Sequence, residues 1–128
     1  MSSDFDIFGG ELFFRNLVND FYQGVINDEI LKPMYPDKDI DGAKERLTLF
    51  LMQYWGGPTT YSELRGHPRL RMRHANFPID FKARDAWLTH MGKALKNQKL
   101  DKEKEDKIWN YLQMAAQSMV NTRNDEVI

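Results

Sequence analysis

Four stretches of this chain repeat their apolar residues at steps of three and four, and no stretch alternates apolar with polar residues at a period of two. A strand with one buried face has to alternate, so the pairing of these two facts dictates an all-α fold. After Gly9-Gly10, the residues Phe14, Leu17, Phe21 and Val25 share one face of a helix that Asn27-Asp28 interrupts. A second helix is expected to start near Asp41, whose carboxylate is placed to cap it, with Ala43, Leu47, Phe50, Leu51 and Tyr54 on one side. Gly56-Gly57-Pro58 ends it. Asp80 caps a third helix carrying Arg84, Trp87, Met91 and Leu95, and the last repeats through Ile108, Leu112, Ala115 and Met119.

The connections carry their own signals. Pro33 and Pro36 bound the segment 28–39, where Pro33 is expected to push Lys32 out of the helical region and leave Tyr35 in a tight connection. Residues 59–66 show no apolar period and read as a loop around Tyr61. Pro68 suits the first position of a short helix that sets Leu70 and His74 four apart and ends near Asn76-Phe77-Pro78. The stretch 96–107 reads as a charged linker running into a helix start, with Asp101 as cap, and residues 1–9 and 122–128 read as flexible ends of one domain spanning 1–128.

Composition narrows the chemistry. None of the 128 residues is cysteine, which removes disulfides, iron–sulfur clusters, thiolate-ligated haem and a cysteine nucleophile. With 18 Lys+Arg against 19 Asp+Glu there is no basic excess to favour nucleic acid. The longest apolar run, Leu49-Phe50-Leu51-Met52, is far too short to span a bilayer, and the acidic first residues do not resemble a secretory signal, so a cytoplasmic location is expected.

Three histidines are present. His67, between Gly66 and Pro68, and His90, off the Trp87–Met91 stripe, read as loop or surface residues. His74 has Leu70 one turn before it and Phe77-Pro78 after it, so it faces an apolar place. There it is either a core histidine bonded to a backbone carbonyl or a single ligand to a metal that arrives with its other ligands, as haem iron does. No Glu-x-x-His or His-Glu-x-x-His run supplies the further ligands that zinc or a di-iron pair requires. Arg65, Arg69, Arg71 and Arg73 form either a solvated face or partners for carboxylates such as haem propionates. Tyr22, Tyr35 and Trp87 lie in three different segments, and each alone is most simply a core aromatic. No phosphate-binding loop, flavin or nicotinamide motif, or Ser/His/Asp arrangement is present.

Six fragments then occur in one order: Phe21-Tyr22; Met34-Tyr35-Pro36; Ala43 through Arg46-Leu47 to Phe50-Leu51; Gln53-Tyr54-Trp55-Gly56-Gly57-Pro58; Gly66-His67-Pro68 through Arg73-His74; and Arg84-Asp85-Ala86-Trp87-Leu88. Over about Gly10 to Asn121 this order resembles the truncated haemoglobins of group II, or O type. The resemblance implies a globin-like, two-over-two helical sandwich around haem b (iron protoporphyrin IX), with His74 as the proximal iron ligand. It places Tyr22, Tyr35 and Trp87 around the bound ligand, and Ala43, Leu47, Phe50, Leu51 and Leu70 against the haem. Arg46, Arg73 and Tyr61 match positions near the propionates. Ala43 stands where larger globins usually carry a histidine, so no distal histidine gates entry.

The implied small ligands are O2, CO, NO or peroxide. Bound O2 carries partial negative charge, and two donors at about 1.5–3 kcal/mol each would slow its release by roughly 100-fold to 10,000-fold. Such retention suits NO dioxygenation or peroxidase-like chemistry with an external reductase better than bulk transport. A ligand sensor or delivery protein with the same haem, and a haem-free helical module using the arginine face, are the other readings. A monomer or weak homo-oligomer is expected.

Overall fold

The computed structural model describes residues 3–35, 39–69, 72 and 79–121, and over these the chain is helical with no strand. In order it forms α1 (Asp4–Phe8), α2 (Gly10–Val25), α3 (Ile40–Tyr54), α4 (Thr60–Arg65), α5 (Phe81–Asn97) and α6 (Lys102–Met119), with a 3-10 turn at Lys32–Met34.

The apolar period becomes the packing seam. Phe14, Leu17, Phe21 and Val25 are all 0% exposed, and Phe13, Val18 and Tyr22 widen the buried stripe of α2. Each such side chain contributes about 1.5–3 kcal/mol of transfer free energy, and a stripe this wide serves two partners. Accordingly α2 packs against both α3 and α5, and α5 packs against α6. Two helix pairs, α2 with α3 and α5 with α6, thus form the expected two-over-two arrangement.

The helix ends follow the expected chemistry at three places. Asp80 accepts from Ala83 N at 2.8 Å, Asp101 accepts from Lys104 N at 3.0 Å, and Gly56 takes a φ of 95° just past α3, where a side chain would be strained. Asn121 N donates to Ile79 O at 2.9 Å and Asn121 Oδ1 accepts from Ile79 N at 2.8 Å, which ties the chain after α6 to the start of α5.

Elsewhere the structure corrects the expectation. Asp41 does not cap α3: the helix begins at Ile40, and Asp39 at the cap position turns its carboxylate to Arg46 instead. Asp41 lies in the first turn, where its charge still complements the helix dipole. Lys32 opens the 3-10 turn rather than leaving the helical region, because Pro33 falls where a first-turn N–H has no partner to lose. Residues 59–66 are not a loop but contain α4, held by Tyr61 at 4% exposure and by the Gln53 amide, which donates to Ser62 Oγ (2.7 Å) and accepts from Ser62 N (2.9 Å). Residues 1–9, expected as a flexible end, contain α1, with Phe8 buried and Phe5 N donating to Trp55 O at 2.8 Å. The charged stretch 96–107 is mostly helix, since α5 runs to Asn97 and α6 starts at Lys102. Leu70, Arg73 and His74, expected on the short helix after Pro68, lie outside the described residues, as does 122–128.

Candidate functional site

Tyr22 comes from α2, Tyr35 from the end of the 3-10 turn and Trp87 from the middle of α5. The fold brings them together. The Tyr22 and Tyr35 rings meet edge to face with centroids 5.4 Å apart, and Phe21 packs edge to face on Tyr22 at 5.0 Å and on Trp87 at 5.1 Å. Burial pushes the Tyr35 phenol up, against hydrogen bonding from Tyr22 and Trp87, which pulls it down. Burial likewise raises Tyr22, helped by the charge that an ionised Tyr35 would carry and by hydrogen bonding to Tyr35. Both phenols therefore keep their protons across the physiological range, and the indole N–H is a donor only. The cluster brings three protonated donor groups together.

Arg46 stands at the edge of this cluster, with Nη2 2.5 Å from Asp39 Oδ2. The pair acts on Tyr22 in opposite directions, Arg46 lowering and Asp39 raising its pKa, and Arg65 acts on Asp39 in turn. A guanidinium has five N–H donors, so the Asp39 contact leaves Arg46 able to take a second carboxylate.

Helix α3 shows two apolar faces. Thr48, Leu51 and Met52 are buried in the core, while Ala43, Leu47 and Phe50, at steps of four and three, are only partly buried although they pack against it. Tyr61 of α4 is buried edge to face against Phe50, with centroids 5.7 Å apart. Tyr35 and Trp87 are partly buried in the same way. A half-buried apolar row beside three convergent donors fits a flat, mostly apolar group that presents one polar position, which is the shape and chemistry of a haem. Leu70, Arg73 and His74 fall outside the described residues, so these contacts come from the distal side alone.

His67 is exposed, and its Nδ1 accepts from Arg69 N at 3.2 Å. His90 is not the surface residue expected. Its Nε2 lies 2.6 Å from Asp28 Oδ2, with side chains only 19% and 17% exposed, and its ring rests on α2 at Gly24. The signal that could have found it was Gly24 itself, an isolated glycine inside a strong helical pattern, which marks close approach of a neighbour.

Fold and pocket together define a globin of the truncated, two-over-two class. The chain belongs to the bacterial-like globins, whose family model matches residues 3–121, and within them to the group II truncated haemoglobins. It is 52% identical to a thermostable hemoglobin from Thermobifida fusca whose X-ray structure superposes with a TM-score of 0.91, covering 94% of this chain and 98% of that one. It is 38% identical over 117 residues to the group 2 truncated hemoglobin YjbI of Bacillus subtilis, covering 91% of this chain and 88% of that protein. The X-ray structure of a truncated oxygen-avid haemoglobin from Bacillus subtilis matches with a TM-score of 0.88 at 37% identity, over 94% of this chain and all (100%) of that one. Members of the family bind haem b and, through it, small diatomic ligands such as O2. Among the described residues no helix is long and apolar enough to cross a membrane.

Proposed function

We propose that this chain retains O2 between Tyr22, Tyr35 and Trp87, with His74 as the protein's ligand to haem iron, and uses it for redox detoxification in the cytoplasm rather than for bulk transport. The observation that carries this reading is the gathering of Tyr22, Tyr35 and Trp87 from three separate elements into one aromatic cluster, in which Tyr22 meets Tyr35 and Phe21 bridges Tyr22 and Trp87. Haem b, when bound, supplies the iron at which a diatomic ligand is taken. The protein supplies the donors. They meet the partial negative charge of bound O2, and because none titrates near neutral pH their effect is constant there. Each charge-assisted bond is worth about 1.5–3 kcal/mol, so two of them slow release by roughly 100-fold to 10,000-fold. The oxygen avidity of the similar Bacillus subtilis protein supports retention here. A carrier needs quick release, whereas an oxidant is better held. One NO, one O2 and one electron give nitrate, the electron coming from a separate reductase; peroxide is the alternative substrate.

Trp87→Phe keeps an aromatic ring and removes one donor. The O2 dissociation rate, read by stopped flow with CO as the replacing ligand, is expected to rise roughly 10-fold to 100-fold. An unchanged rate takes Trp87 out of the donor set. Repeated NO consumption by the oxygenated holoprotein in the presence of a one-electron reductant marks turnover; a single equivalent consumed marks a sensor or delivery protein instead.

A further inference from the structure

His90 lies three residues beyond Trp87 on α5 and touches both α2, which carries Tyr22, and the segment that leads to Tyr35. Its ring packs on α2 at Gly24, two residues past Tyr22, where an added Cβ would come within 2.2 Å of Nδ1. Its Nε2 engages Asp28 Oδ2 at 2.6 Å, at the head of the segment that ends in Tyr35. The other carboxylate oxygen, Oδ1, accepts from Ile30 N at 2.7 Å and Leu31 N at 3.3 Å. From there backbone turn bonds run on to Tyr35: Lys32 N to Asp28 O (2.8 Å), Met34 N to Leu31 O (2.9 Å) and Tyr35 N to Lys32 O (3.1 Å).

Apart from Leu31 and the half-buried Met34, which pack on the core, few apolar contacts hold this segment. Glu29, Ile30, Lys32 and Pro33 are exposed, and Leu31, 2% exposed, is its one fully buried side chain before Tyr35. A segment with few buried apolar contacts opens locally at low cost unless a polar anchor fixes it. A sheltered hydrogen bond to an ionised carboxylate is such an anchor.

We propose that His90 and Asp28 form a positioning pair for ligand retention, fixing Tyr35 in register with Tyr22 and Trp87 and so setting how long a diatomic ligand stays. Neither residue touches the ligand. The inference rests on the retention reading above, and its test separates the two.

The holoprotein is compared with His90→Leu, His90→Gln, Asp28→Asn and Tyr35→Phe. Three quantities are read: the O2 dissociation rate, the C–O stretch of the CO-loaded protein, which senses nearby donors, and amide hydrogen exchange at Ile30 and Leu31. His90→Leu is expected to raise the dissociation rate about tenfold, roughly the weakening of one donor. It shifts the C–O stretch in the same direction as Tyr35→Phe and speeds exchange at Ile30 and Leu31, while Ile108 and Leu112 of α6 stay protected. His90→Gln, which restores a side-chain N–H, recovers most of each change. Asp28→Asn keeps an acceptor for Ile30 and Leu31 while removing the charge; it gives smaller shifts of the same sign and serves should His90→Leu not fold. The pair is overturned as a positioning device if Tyr35→Phe speeds release but His90→Leu and Asp28→Asn do not, or if release speeds up while exchange at Ile30 and Leu31 is unchanged. An unchanged rate in Tyr35→Phe overturns the retention reading, and the pair's role in it, whatever the amides show.

Discussion

At Gly24 the absence of one carbon sets how closely α2 and α5 can approach, since the His90 ring occupies the space a Cβ would take. Alanine there gains about 1 kcal/mol of helix propensity but overpacks the contact by about 1–3 kcal/mol. Gly24→Ala is therefore expected to lower stability by up to about 2 kcal/mol in urea titration. In a His90→Ala background the sign reverses, and the same alanine becomes neutral or stabilises by about 0.5–1 kcal/mol. An equal cost in both backgrounds would show that the imidazole is not what limits the site. The same contact marks how far single residues could be read from sequence. Tyr22, Tyr35 and Trp87 were placed around one pocket by resemblance, because periodicity says which face a residue takes and not which distant residues it meets. His90 was misplaced for a physical reason: its partner Asp28 is 62 residues away, and a polar pair that closes in three dimensions leaves no local pattern.

Elements were legible in proportion to the stripe each one buries. Helices α2, α3, α5 and α6 run 15 to 18 residues, long enough for several apolar repeats, and three of their ends carry Asp caps or glycine stops that act as expected. Helices α1 and α4 have 5 and 6 residues and a single buried side chain each, Phe8 and Tyr61, so no period fits within them. They are held instead by bonds to the end of α3, Phe5 N to Trp55 O and Ser62 to Gln53, which only the folded chain reveals. A cap, by contrast, is local and testable. Asp80 starts the helix that presents both Trp87 and His90, and Asp80→Ala is expected to cost about 1 kcal/mol of stability by urea titration. A change below about 0.3 kcal/mol would mean that the Ala83 N–H is satisfied as well by water as by the carboxylate.

Over the whole molecule the charges nearly cancel, at −1, and ion pairs are spread around the surface. Among the described residues four carboxylates are held below their ordinary values: Asp28 by the His90 hydrogen bond, Asp39 by Arg46, Glu45 by Arg15 and Asp101 by the Lys104 backbone N–H. The sign follows from linkage. A carboxylate whose pKa is lower folded than unfolded contributes stability that is complete above the unfolded value, about 3.9 for Asp, and is lost as pH falls through the folded value. Stability is therefore expected to be level from neutral pH to about 5 and to fall below about 4, where 18 Lys+Arg also lose their opposing charges. The four carboxylates do not share this equally. Asp39, Glu45 and Asp101 are at least half exposed, where screening leaves an ion pair little effect, whereas Asp28 is 17% exposed against a partner at 19%. Asp28→Asn is thus expected to reduce stability at neutral pH by an amount that shrinks as the pH approaches 3, while Asp39→Asn follows the parent chain throughout. Urea titrations at intervals from pH 3 to 7 decide it. An offset for Asp28→Asn that stays constant over that range would assign the loss to packing of the turn rather than to the ionised carboxylate facing His90.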